Sequence, residues 1–222
     1  MCIEEELEFI KEQRANDAGY HLILGQKWRR FGEPSKLPSP IVYSSIEFRL
    51  SIERIVFELY ALMKKLKYIS EEDAKKYESL TSVITQIMEI VGNSRNLYRI
   101  LKFSAMLFDD DSQLIGKLAI PDVNKLKKYW YALSDYCHMK VNPENTWLSK
   151  EFVKKGYEIL NEVETYLWDI KVRKHFGFYQ METWQPEVVA LADDYVNSKI
   201  DDESVKTRLM LMKPVILSRY KK

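Results

Sequence analysis

The sequence predicts an all-α protein: a helical bundle of four to five core helices with helical appendages at its N-terminal and C-terminal ends. Three observations carry this. Long segments repeat apolar residues at steps of three and four, the spacing at which side chains share one helix face. Glycine and proline number only seven each in 222 residues, fewer than the turns of a sheet protein of this length require. Hydrophobic residues make up 46% and charged residues 30%, a balance that supports a packed core rather than a disordered chain.

Taken in order, residues 3–15 read as an acidic helix. Asp17 is placed to cap a second helix through HLILGQKWRRF, with Gly25 inside it as a weak point. The loop GEPSKLPSP holds three prolines, so 34–40 is read as a linker between an appendage (1–33) and the main bundle (41–176). The strongest helix spans 41–67. Its main face carries Phe48, Ile52, Ile55, Val56, Leu59, Met63 and Leu66, and a second apolar stripe contains Ile46, Leu50 and Phe57. Ser70 and Asp73 open a helix through Val91, which Gly92 stops. Ser94 caps the next, through Phe108. Pro121 is placed at a helix start, where its missing N–H costs nothing, and that helix runs to Met139. Ser149 caps a long helix over 150–175. The C-terminal helices (177–222) follow an aromatic loop, over 186–198 and 202–219, the last expected to kink at Pro214.

Charge and cysteine content bound the function. The net charge is +1, so no whole-chain field draws in nucleic acid. Cys2 and Cys137 are badly placed for a bridge, which fits a reducing, cytoplasmic setting. No apolar run approaches the roughly 18 residues that span a bilayer, so no membrane partner is expected. Phosphate-cradling, dinucleotide, nucleophile-elbow and zinc motifs are missing. His21, His138 and His175 share no metal-ligand spacing, and no metal or cofactor is expected.

Two constellations bear chemistry. Arg49 and Glu53 lie one turn apart between the two apolar stripes of the 41–67 helix, so both are partly buried. They read either as a local i,i+4 ion pair or as the lining of an interhelical cleft. His138 ends the helix PDVNKLKKYWYALSDYCHM, beside Tyr131 and Ser134. There an imidazole either complements the helix dipole or serves as an acid or base. Basic residues also interleave with aromatics at Lys27, Arg29 and Arg30 (with Trp28 and Phe31), and at Lys171, Arg173 and Lys174 (before Phe176, Phe178 and Tyr179). Such mixtures hold phosphates and stack bases, or simply anchor helix ends. The first twelve residues carry five Glu and one Lys, an acidic segment suited to cover such a patch.

The segments IEFRLSIERIVFELY and YALSDYCHMKVNPENTW together resemble the HEPN superfamily of helical bundles, over about 41–175. The resemblance implies a first core helix bearing arginine and glutamate and a later helix ending in histidine. In HEPN ribonucleases an arginine precedes that histidine in an R-x4–6-H pattern. Here those positions hold Tyr131, Ala132 and Leu133, none of them basic. A literal match at Arg14 and His21 is broken by Asn16, Asp17 and Gly19 and reads as coincidence. Three functions follow. The first is a non-catalytic interaction or sensor module in nucleic-acid or defence biology, with RNA or protein as partner. The second is a ribonuclease or nucleotide-handling enzyme using His138, Arg49 and Glu53. The third is a structural bundle without a small-molecule site. More than one apolar stripe per helix also makes a homodimer an expectation.

Overall fold

A computed structural model describes residues 17–65, 83–108, 120–137, 149–173 and 184–220. The described residues form eight α-helices and no strand. They are α1 (Ala18–Gly32), α2 (Ser39–Lys65), α3 (Val83–Asn93), α4 (Arg95–Phe108), α5 (Val123–Cys137), α6 (Lys150–Trp168), α7 (Pro186–Val196) and α8 (Asp202–Tyr220). A wider turn over Asp169–Arg173 continues α6. Residues 3–15, Ser70, Asp73 and His138 to Met139 fall outside the described residues, and so do Lys174, His175 and the aromatic loop before Trp184.

Helix ends follow local hydrogen-bond chemistry. Asp17 accepts from the Tyr20 N–H at 2.7 Å, Ser94 from Leu97 at 3.1 Å and Ser149 from Phe152 at 3.1 Å. Each fills one of the donors that a helix N-terminus leaves open. Pro121 does not begin α5. Asp122 does the capping, accepting from the Lys125 N–H at 3.1 Å, and the helix starts at Val123. Helix α8 continues through Pro214 to Tyr220.

Helix α2 is the hub, with α1, α3, α5 and α6 packed around it. Its face of Phe48, Ile52, Ile55, Val56, Leu59 and Met63 is buried. Helices α4, α7 and α8 form a second layer, in which the ring of Phe103 lies 5.6 Å from Trp184 and 6.2 Å from Tyr195. Arg99 ties this layer together. It donates to the Tyr195 carbonyl at 2.7 Å and lies 4.0 Å over that residue's ring.

The proline-rich loop joins two helices of one core rather than a core and an appendage. Helix α1 runs antiparallel along α2, and Ala18 and Leu22 belong to the same buried cluster as the α2 face. Small residues make the close approach. Ala18, Gly25 and Gly32 recur every seventh residue on α1 and are all buried. Ser51 of α2 donates its hydroxyl to the Ala18 carbonyl, and Ser44 to the Gly25 carbonyl, both at 2.7 Å. Gly25 is therefore a contact point: a Cβ there would stand 2.4 Å from two ring atoms of Phe48.

Candidate functional site

Arg49 and Glu53 both face α5. The guanidinium Nη2 lies 3.6 Å from the Glu53 carboxylate, with the side chains 19% and 23% exposed. Trp130 of α5 completes the group. Its indole N–H donates to Glu53 at 2.7 Å, and its ring underlies the Arg49 guanidinium at 4.3 Å. The cation is therefore met both by a carboxylate of its own helix and by an aromatic face. Cys137, the last residue of α5, is also within reach. Burial pushes its thiol up, against the opposing hydrogen bond and charge of Arg49. A thiol held in its neutral form is a poor nucleophile. His138 lies outside the described residues, so the expected meeting of its imidazole with Arg49 is neither seen nor refuted. Tyr131, at one of the three positions a HEPN ribonuclease gives to arginine, is exposed and packs edge-on against Trp130 at 5.2 Å.

Sequence reasoning did not find Trp130 and Cys137 as partners of Arg49. The signal was the pairing of two helices whose polar flanks fall between apolar stripes, and that needs the α2–α5 contact to be known. Trp130→Phe keeps the ring and removes the donor. The chain should lose about 1.5 kcal/mol, the lower end for a hydrogen bond to a charged group, read from the urea midpoint at unchanged helicity.

The six basic residues separate into different roles. Arg29 is buried at 9% exposure. Its Nε donates to Glu164 of α6 at 2.5 Å, and Nη1 pairs with Glu33. Gln26 donates to the other Glu164 oxygen at 2.7 Å. Burial opposes the charge on Arg29, yet the bonds to Glu164 and Glu33 outweigh it and leave the guanidinium pKa raised. Arg29 is thus a core tie between α1 and α6, not part of a basic surface. Lys171 is also engaged, 3.3 Å from Glu58 of α2. Burial pushes the Glu58 carboxyl up despite that cation. Arg173 is the last residue of the turn after α6, and Lys174 lies outside the described residues.

Lys27 and Arg30 remain at the surface, beside a cluster of exposed rings at the C-terminal end of α1. Trp28 packs on Tyr43 of α2 with ring centroids 4.8 Å apart and the planes 33° from parallel. Phe31 stands edge-on to Trp28 at 6.4 Å and is 67% exposed. Lys36 is exposed in the following loop, its ammonium 5.5 Å from the Tyr157 ring. Of the carboxylates here, Glu33 pairs with Arg29 and Glu47 with His21. The edge therefore offers rings for stacking together with cations.

Two hollows lie elsewhere. One of about 320 Å³ sits between α3, α4 and the start of α5, lined by Leu97, Tyr98, Leu101, Pro121 and Val123 among others. The other is an open hollow at the α7–α8 loop. Neither includes a candidate catalytic or nucleic-acid-binding residue named from the sequence. Among the described residues no cluster of three His, Cys, Asp or Glu side chains comes together to hold a metal. No described helix is long and apolar enough to cross a membrane. No family model, curated protein or solved structure matches the chain.

Proposed function

We propose that this chain is a HEPN-like helical interaction module that holds single-stranded nucleic acid along the α1–α2 edge without cleaving it. The observation that carries the reading is the Trp28–Tyr43 ring pair with exposed Phe31 beside it, next to Lys27 and Arg30. Stacked rings beside cations suit a strand whose bases are free to stack, and disfavour a duplex whose bases are already stacked on each other. Cleavage is disfavoured because the charge of Arg49 is already met by Glu53 and the Trp130 ring, and positions 131–133 hold no arginine or other cationic side chain.

Fluorescence anisotropy with labelled oligouridine tests this on the full chain. Base stacking contributes about 1–3 kcal/mol per ring by alanine substitution. Trp28→Ala combined with Phe31→Ala should therefore weaken binding at least tenfold, at unchanged helicity. With Arg30 and Lys36 exposed on the edge, the slope of log affinity against log salt should be about −1.4, at about −0.7 per phosphate neutralised. Equal affinity for the variant and the unsubstituted chain would overturn the reading. So would a preference for duplex over single strand.

A further inference from the structure

Helix α8 carries apolar residues on two sides, and the bundle buries one of them. Val205 and Leu209 are buried at 0% and 2% exposure, whereas Met210 and Leu211 stand 62% and 77% exposed. At about 100° per residue, the helical register sets positions 210, 211, 214 and 217 on one arc about 120° wide, on the side away from Val205 and Leu209. Cations border that arc in the same register: Lys206 and Lys213 along one edge, Arg208 and Arg219 along the other. Lys206 and Arg208 are exposed. From Ser204 to Lys222 the sequence holds six cations and no carboxylate side chain, although the whole chain carries only +1. The preceding residues therefore carry −5, so positive charge is gathered on this one helix. The acid that precedes the segment, Glu203, lies two turns before Met210 and 3.8 Å from Lys206.

We propose that α8 lies on an anionic lipid surface. Met210 and Leu211 enter the boundary between headgroups and acyl chains, and the flanking cations meet the lipid phosphates and carboxylates. An apolar arc between rows of Lys and Arg is the pattern of a helix that lies in the interface plane, because the long basic side chains reach back to the headgroups while the aliphatic groups leave water. The roughly 18-residue apolar run that this sequence lacks is needed to cross a bilayer, not to lie on one. The exposed groups Met210 and Leu211 are aliphatic. They have no ring face to stack on a base, so the chemistry favours acyl chains over a nucleic-acid strand. Helix α8 packs on α4 and α7, whereas the rings of the nucleic-acid edge belong to α1 and α2, so the proposal does not rest on that edge.

Cosedimentation of the full chain with vesicles tests it. The chain should pellet with vesicles of phosphatidylcholine mixed with phosphatidylserine, stay in solution with phosphatidylcholine alone, and be released by high salt. Each cation near an anionic leaflet contributes about fivefold to partitioning, so Lys206→Gln with Arg208→Gln should weaken it at least about tenfold. Met210→Gln with Leu211→Gln should weaken it by a similar factor at unchanged helicity, and should leave oligouridine binding as it was. Trp28→Ala with Phe31→Ala should leave vesicle binding unchanged, which separates failure of this surface from failure of the nucleic-acid edge. A chain that stays in solution with both kinds of vesicle would overturn the proposal, as would a Met210→Gln, Leu211→Gln chain that pellets like the unsubstituted one. Loss of oligouridine binding but not of vesicle binding in the Lys206→Gln, Arg208→Gln chain would assign the surface to nucleic acid instead and would equally overturn it.

Discussion

Glu164→Ala should unfold the chain far more readily, with a loss of about 3 kcal/mol in urea denaturation, the lower end of what breaking a buried ion pair costs. The carboxylate is 7% exposed and accepts from Arg29 on one oxygen and Gln26 on the other. Its removal leaves a guanidinium at 9% exposure with only Glu33, on the more exposed side, to balance it. The penalty arises from the stranded charge rather than from the net worth of the pair. Glu164→Gln, which keeps one acceptor and the side-chain volume, should therefore cost clearly less than Glu164→Ala. A loss below about 1 kcal/mol for the alanine variant, the size of an ordinary surface pair, would mean that Arg29 escapes to solvent and that α1 is not held to α6 in this way.

Gly25→Ala should also destabilise, although alanine favours a helix by up to about 1 kcal/mol over glycine. The added methyl would stand 2.4 Å from two ring atoms of Phe48, which is fully buried. The flexible end of a surface side chain could swing aside; a ring fixed in the hub helix cannot. Overpacking of this kind costs typically about 1–3 kcal/mol, and separating α1 from α2 would also stretch the 2.7 Å bond from Ser44 to the Gly25 carbonyl. The expected net loss is about 2 kcal/mol by thermal or urea melting. Phe48→Leu in the same chain should recover part of it, so that the two substitutions are less harmful together than their sum. A Gly25→Ala chain as stable as the unsubstituted one would show that the helices do not approach so closely.

Much of the bundle was legible in the sequence because its cues are local. The caps at Asp17, Ser94 and Ser149 are one-residue signals that act within a single turn, and they appear where the sequence puts them. The Phe48–Met63 stripe is a periodicity, which needs only the helix itself. What escaped needs two helices at once. Gly25 reads as a flaw in α1 until α2 is laid against it, and the heptad of Ala18, Gly25 and Gly32 gains meaning only from Ser44, Ser51 and Phe48 across the contact. Arg29 reads as a member of a basic cluster with Arg30, yet it falls on the Ala18–Leu22–Gly25–Gly32 face. Glu164 falls on the Tyr157–Leu160–Leu167 face in the same way. Opposite charges lodged in two separate apolar stripes are a readable sign of a buried ion pair, and that sign was present. For the candidate site, the Arg49–Glu53 spacing was legible and its local pairing was one of the two readings left open. Trp130 as the ring beneath Arg49 was not, since nothing in a helical wheel says which neighbour lies opposite.

The central claim, binding without cleavage, is tested most directly by incubating the full chain with end-labelled single-stranded RNA and reading retention and strand length from the same samples. The account predicts retained, full-length RNA, with retention lost in Trp28→Ala and kept in Arg49→Ala. RNA shortened by the unsubstituted chain and left intact by His138→Ala would contradict it.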